Sequence, residues 1–272
     1  MIVLLAQLAP RRGELRENLY RLRAVLEGAG KADLAVFPEL YLAGYTVGER
    51  HFQTAVARSD ATEQALIELA KDQGTSIVVG GSVQSVARKG EIHNAALLIR
   101  SDGSVEVQSK RYLPTYGPFV EGSFFTPAGE SHALSLDHHR LGIQICYDAF
   151  FPEISRELAL DGADLLVVIS AAPTTSRKLF DKVLPARAVE NATPLVYVNR
   201  VGVEDGLVFG GGSDAWDARG EVVPGEMISV ARGSAEESMK RVEIDLNEAH
   251  RWRPFRPVLR DVSSRPPTSI SS

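Results

Sequence analysis

Apolar residues return along this chain at two alternating periods. Ile2–Gln7 is an apolar run of strand length. Beyond the turn at Pro10–Gly13, Leu15, Leu19, Leu22 and Leu26 recur at the spacing of a helix that buries one face. Glu14 and Glu17 fall in its first turn, where the helix dipole favours anions. Gly28 and Gly30 close that helix, and Asp33–Phe37 is predicted as a buried strand running into Pro38 and Glu39. A second helix is predicted over Ala61–Lys71, followed by a strand at Ser76–Gly80. Ile92–Arg100 and Ser104–Ser109 flank Asp102–Gly103, a pair suited to a hairpin turn. The turn Asp137–Arg140 separates two short strands, the second being Leu141–Ile145, and Pro152 suits the first turn of a helix ending near Gly162. Leu165–Ile169 and Leu195–Val201 are predicted strands on either side of a helix over Lys178–Asn191. Phe209–Asp217 and Glu221–Val223 bracket a turn at Ala218–Gly220, and the last strand is predicted near Arg241–Leu246. Helices thus alternate with strands while hairpins interrupt them, which predicts a layered α/β fold with mixed rather than purely parallel sheets.

Composition narrows the class. The chain has 272 residues, 44% of them hydrophobic, enough for one large core. Thirty basic residues against 35 acidic ones leave a net charge of −5, which gives no electrostatic reason to expect nucleic acid or an anionic membrane as partner. The longest apolar runs are strand-sized, and Met1–Leu8 lacks a basic leader, so it reads as a first strand rather than a signal peptide. One cysteine cannot form an internal disulfide, which fits a reducing, cytoplasmic setting. No linker divides residues 1–250. From Arg251 to Ser272 the chain turns rich in proline, arginine and serine, and this tail is expected to pack on a neighbour or stay mobile. Gly210–Gly212 is followed by no Gly-Lys-Ser/Thr and reads as a glycine-rich strand edge, not a phosphate loop.

Three residues with chemistry to offer stand at the ends of predicted strands: Glu39, Lys110 and Cys146. Strand ends in α/β folds are where ligand sites gather, because a rigid sheet positions the loops. Cys146 sits between a strand and a helix, a turn that presents its side chain and can aim the next backbone N–H at a developing oxyanion. Alone, a single cysteine is more often a small buried hydrophobe, and lone Glu and Lys residues are more often surface charges. Their surroundings change that balance.

Val36-Phe37-Pro38-Glu39-Leu40 with Gly44-Tyr45, Ser109-Lys110-Arg111-Tyr112-Leu113-Pro114 with Glu121, and Gly142-Ile143-Gln144-Ile145-Cys146-Tyr147-Asp148 with Phe151-Pro152-Glu153 occur in that order. Together they resemble the three motifs of the nitrilase, or carbon–nitrogen hydrolase, superfamily, over nearly the whole chain. The resemblance implies a four-layer α-β-β-α sandwich with two mixed β-sheets. It implies Cys146 as a nucleophile attacking as a thiolate favoured by the Lys110 cation, and Glu39 as the base that takes the thiol proton and returns it to the leaving amine. Lys110 and the Tyr147 backbone N–H would hold the oxyanion, and Glu121 matches a second glutamate that orients the group. None of the six histidines lies in these motifs; His138–His139 read as solvated, and no cofactor or metal is expected. Tyr45, Tyr116, Tyr147 and Phe150 are placed to line a substrate pocket, though aromatics near strands usually pack a core.

One branch is resembled in more detail, the glutaminase domain of glutamine-dependent NAD synthetases. Leu113–Gly117 through Glu121 and the stretch Val196–Val223 carry this likeness, and Tyr116 matches a tyrosine of the glutamine pocket. The chain has no ATP-using domain. It reads Ser170-Ala171-Ala172-Pro173 where that branch commonly has Asn-Ala/Gly-Ser-Pro, so Ala172, at a substrate-binding position, lacks a hydroxyl that would hold an amino acid. The favoured expectation is an amidase that cleaves a small linear carboxamide through a cysteine thioester and works as a homodimer or larger assembly. The alternatives are a glutaminase subunit feeding ammonia to a synthetase partner, a nitrilase, and a catalytically silent binding member.

Overall fold

Strand residues in this protein alternate between two apolar environments, and that alternation builds its layers. In β1 (Ile2–Gln7), Val3 and Leu5 face one hydrophobic cluster while Leu4 and Ala6 face another. The structure, a computed structural model, describes residues 1–230 and 236–264. One sheet has seven strands, in the order β13 (Gly225–Ser229), β14 (Ser238–Glu243), β1, β2 (Leu34–Val36), β3 (Ser76–Gln84), β4 (Ile92–Ile99) and β5 (Val105–Ser109). The other has five, in the order β12 (Asp214–Trp216), β9 (Leu195–Asn199), β8 (Leu165–Ser170), β7 (His139–Ile145) and β6 (Leu134–Leu136). A separate hairpin joins β10 (Val201–Glu204) to β11 (Leu207–Gly210).

The inner faces of the two large sheets meet through Val3, Leu5, Val36, Val78 and Leu98 on one side and Ile143, Ile145, Val167, Ile169 and Val198 on the other. The outer face of the first sheet packs on α1 (Leu15–Ala29) and α3 (Ala61–Gln73) through Leu22, Leu26, Leu66 and Leu69. The outer face of the second packs on α4 (Pro152–Leu160) and α5 (Arg177–Asn191) through Leu158, Phe180 and Leu184. The fold is therefore a four-layer α-β-β-α sandwich with mixed sheets. Each of these side chains, taken fully from water, contributes about 1.5–3 kcal/mol. Asp60 caps α3 by accepting from the Glu63 N–H, Gly74 ends it in the left-handed region, and Pro152 starts α4.

The structure differs from the periodic reading in several places. The expected strands Leu195–Val201 and Phe209–Asp217 are each cut in two, the first at Arg200 and the second where Gly211 and Gly212 take positive φ and turn the chain. The exposed edge strand β13 and the short helix α2 (Arg50–Gln53) carry no clear apolar period and were not legible. β14 starts three residues before the predicted Arg241. The segment from Arg251, expected to cover a neighbour or stay mobile, folds onto its own chain as far as residue 264. There α7 (Val258–Ser263) lies against α4 and α5, and Arg253, at the end of α6 (Asn247–Trp252), donates to the Ala163 carbonyl and the Thr193 hydroxyl. Arginines of this segment dock it through these donors; residues 265–272 lie outside the described residues.

Candidate active site

β2, β3 and β5 run in one direction, so the segments leaving β2 and β5 emerge at one end of the first sheet. Past β2 the chain does not stop pairing: the Phe37 N–H donates to the Val78 carbonyl and the Leu42 N–H to the Gly80 carbonyl. This holds Glu39 against β3, with Leu40 at φ 50°. Gly80 leaves the room required, since a Cβ there would stand 2.5 Å from both the Leu40 nitrogen and the Pro38 oxygen. Lys110 follows β5 directly, its N–H donating to the Asn94 carbonyl. Cys146 follows β7 and opens a single 3-10 turn before α4. Its φ of 50° is unusual for a residue with a side chain, a strained placement of the kind that raises a nucleophile out of a strand–turn–helix.

The side chains converge. The Lys110 Nζ donates to Glu39 Oε1 at 2.7 Å and to Glu121 Oε1 and Oε2 at 2.8 and 2.9 Å. Glu39, Lys110 and Glu121 are all buried. Asn94 Nδ2 bridges the same carboxylates, 2.7 Å from Glu39 Oε1 and 3.1 Å from Glu121 Oε2. The Ala171 N–H donates to Glu39 Oε2 at 2.7 Å, and the Tyr45 hydroxyl to Glu121 Oε1 at 2.6 Å. Burial by itself would favour a neutral Lys110 amine, but Glu121 and Glu39 outweigh it and hold the ammonium protonated. Burial also pushes the Glu121 carboxyl above its ordinary value; Lys110 pulls it down and Glu39 pushes it up again. Tyr45 is driven well up by burial and then by Glu121 and Glu39, so its phenol stays a donor.

The Lys110 cation, expected to favour the attacking thiolate, acts in that sense on the resting thiol but does not prevail. Burial and the Glu39 charge push the Cys146 thiol up, and Lys110 only partly opposes them. The ammonium is shared between two carboxylates, so the field at the sulfur does not favour a resting thiolate. The thiol is held protonated, which makes a neighbouring base a requirement of any attack through it.

Asp148, two residues on, ties the segments together. It accepts from the Tyr112 N–H at 2.9 Å, the Arg111 N–H at 3.2 Å and the Ile145 N–H at 3.3 Å, and so links the Lys110 segment to the Cys146 turn. Burial pushes its carboxyl up to about 6 despite those donors. Neither Asn94 nor Asp148 was singled out by sequence. Asp148 stood within a quoted motif, whereas a lone asparagine inside an apolar strand gives no local signal.

The five aromatic and small residues expected at a substrate pocket separate. Tyr45 lines a cleft of about 620 Å³ together with Glu121, Leu40, Phe124, Phe125 and Leu207, but neither Cys146 nor Lys110 lines it. Tyr116, with 53% of its surface open, and Tyr147 form a wall beside the nucleophile turn, their rings 5.4 Å apart. Phe150 continues that wall, 6.0 Å from Tyr147. Ala172 is buried; its N–H donates to Asn199 Oδ1, and its methyl packs with Phe180 and Ala149 beneath the helices. His51 was not read from the sequence; it bonds Ser82 and the Tyr45 carbonyl, and burial lowers it to about 4, so it is neutral near pH 7. His139 lies in β7, not in the turn. Among the described residues no group of three His, Cys, Asp or Glu side chains is placed to hold a metal ion. No helix there is long and apolar enough to cross a membrane.

The family model described as "Carbon-nitrogen hydrolase" matches residues 3–254. The chain is 34% identical over 251 residues to an (R)-stereoselective amidase from a Pseudomonas species, covering 91% of this chain and 86% of that protein. It is 32% identical to the glutamine-dependent NAD(+) synthetase of Thermotoga maritima, over 90% of this chain but only 42% of the synthetase. Among solved structures it superposes, with a TM-score of 0.75 and 29% identity, on a mutant amidase from Nesterenkonia sp. AN1 carrying acrylamide added at its active-site cysteine. That match covers 94% of this chain and 98% of the other.

Proposed function

This chain belongs to the carbon–nitrogen hydrolase family, and within it we propose an amidase that cleaves a small linear carboxamide through a thioester on Cys146. One observation carries the reading: a buried, protonated Lys110 is held between Glu39 and Glu121 beside a strained cysteine whose thiol needs a base. Glu39 takes the thiol proton as the sulfur pair bonds the carbonyl carbon, and the carbonyl π pair moves to oxygen. Lys110 and the Tyr147 backbone N–H meet that oxyanion. When it collapses the C–N bond breaks, and the amine leaves with the proton from Glu39. Glu39 then takes a proton from water; hydroxide attack on the thioester expels the sulfur as the acid forms, and the proton on Glu39 returns to that sulfur. Glu121, acting through Lys110 and held by Tyr45, fixes the ammonium. The amidase name of the Pseudomonas relative and the cysteine adduct of the Nesterenkonia amidase support the same chemistry.

Tyr116 and Tyr147 form the wall against which the acyl group would lie, and Tyr45 contributes through Glu121. A second reading, a glutaminase subunit passing ammonia to a synthetase partner, draws on the likeness to the Thermotoga synthetase. We place the amidase first because the amidase relative is matched over 86% of its length and the synthetase over only 42%. The working form is proposed as a cytoplasmic homodimer or larger assembly. The test is ammonia release over linear amides, carbamoyl amino acids, glutamine and nitriles, with intact-mass measurement of enzyme quenched in acid during turnover. An acyl adduct on the peptide holding Cys146, formed from an amide, is the expected result. Turnover of nitriles alone would reassign the reaction, and a Cys146→Ala variant that keeps a tenth of normal turnover would end covalent catalysis by this residue.

A further inference from the structure

Ser170 closes β8, in register with the residue that follows β7. The parallel pairing runs Leu141 with Leu165 through Ile145 with Ile169, so Cys146 and Ser170 are the next residues of neighbouring strands. Val168, two residues earlier, turns its side chain toward the helix-side cluster, and strand alternation sends Ser170 the same way. Tyr197, opposite Val168 on β9, lies in that cluster. Ser170 is wholly buried, and its Oγ meets no partner in full hydrogen-bond geometry. A hydroxyl left in this condition destabilises the fold, while alanine would fill the space without the penalty. Two groups stand beside it. Its hydroxyl eases ionisation of the Cys146 thiol, against burial and Glu39 and alongside Lys110, and it acts in the same sense on the Tyr197 phenol.

We propose that Ser170 is a further catalytic residue, whose hydroxyl donates to the Cys146 sulfur when that atom carries negative charge, with Tyr197 orienting it. The proposal rests on the reading of Cys146 as nucleophile. Charge reaches the sulfur twice in that cycle. It rises as Glu39 removes the thiol proton, and again as the C–S bond of the thioester breaks and its electron pair returns to sulfur. A donor unsatisfied at rest and satisfied only at those moments lowers the barrier without stabilising the ground state. Burial drives the Tyr197 phenol well up, so it remains protonated and can donate to Ser170 Oγ, leaving the serine proton for sulfur.

The chain's one cysteine makes the test direct. Iodoacetate alkylation is followed by intact mass across pH for the full chain, Ser170→Ala and Tyr197→Phe, beside kcat/KM for amide hydrolysis. The other ionisable groups acting on this sulfur, Glu39, Lys110, Glu121 and the phenols of Tyr45, Tyr116 and Tyr197, are common to the parent and Ser170→Ala. Ser170→Ala is expected to move the alkylation profile to higher pH and lower kcat/KM by roughly tenfold or more, with thermal stability equal or higher. Tyr197→Phe should move both in the same direction by less, and it carries the test should the alanine variant not fold. An unchanged alkylation profile with kcat/KM within about twofold of the parent overturns the proposal, a margin well below the loss of one charge-directed donor. Because alkylation needs no amide, this outcome is separate from Cys146→Ala retaining turnover, which would instead remove the nucleophile assignment.

Discussion

A buried ammonium shared by two carboxylates sets the chemistry at the residue scale. The trio lies away from water, and beside it burial first, then the Glu39 charge, push the Cys146 thiol up against the pull of Lys110. Removing either end of the pair therefore has different consequences for stability. Glu39→Gln keeps the shape and relieves charge, so it should lose about 10²–10³ in ammonia release while its circular dichroism stays that of the parent. Lys110→Ala should lose at least as much activity and also unfold more easily, by about 3–5 kcal/mol, because two carboxylates remain buried without their cation. A Lys110→Ala chain as stable as the parent would mean that Glu121 is protonated at rest. Activity within tenfold of the parent would remove either residue from the catalytic set. Glu39, Lys110, Glu121 and Cys146 were legible in the sequence because each sits in a short motif beside a predicted strand. Ser170 and Asn94 were not assigned, since their meaning comes from the neighbouring strand. That both carboxylates claim Lys110 is likewise not visible in the sequence.

Elements position that trio through backbone contacts more than through side chains. Gly80 in β3 is a clear case: its φ is ordinary, but the backbone of Pro38–Leu40 lies where a Cβ would be. Gly80→Ala should displace Glu39, lower turnover at least tenfold and cost about 1–3 kcal/mol, read by chemical denaturation. Wild-type turnover in that variant would show that Glu39 tolerates the shift. The carboxylate of Asp148 links the segments after β5 and β7 in a way that titrates. Its native value, about 6, lies above its ordinary 3.8, so the native state binds the proton more tightly. Its contribution to stability is fully present below about pH 4 and is lost as pH rises through about 6, amounting to about 3 kcal/mol. Asp148→Asn has no such titration. The stability advantage of the parent over this variant should be larger at pH 4.5 than at pH 7.5, and equal differences at both would contradict the raised value. Long amphipathic helices such as α1 and the paired strands β4 and β5 were readable because period and turn chemistry agree there. The division of β11 from β12 was not, because Gly211 and Gly212, which read as a strand edge, act as a corner.

At the scale of the whole molecule the two ends of the chain close the structure, which local periodicity cannot reveal. β1 pairs with β14, Ile2 opposite Glu243, so the first sheet is complete only when the last strand arrives. After it, α7 covers the α4–α5 side. Arg253 reaches the Ala163 carbonyl at 3.1 Å and Thr193 Oγ1 at 3.2 Å, Arg256 reaches the Ala218 carbonyl at 2.8 Å, and Arg219 lies 5.6 Å from the Trp252 ring centre. Phe255, by contrast, is left 83% exposed beside Trp252, an apolar surface available to a second copy. A chain ending at Leu246 keeps both sheets but loses these contacts. At about 0.5–1.5 kcal/mol for each net hydrogen bond, it should lose a few kcal/mol. For a chain of this size each of those corresponds to a melting point lower by about 2–4 °C. Light scattering on the same two chains tests the proposed assembly: the full chain should weigh at least twice its own mass at micromolar concentration. If the shortened chain melts lower yet keeps the assembled mass, the segment serves its own chain and the interface lies elsewhere. If it falls to monomer, Phe255 and its neighbours hold the partner as well, and Phe255→Ser in the full chain should do the same without the loss in melting temperature.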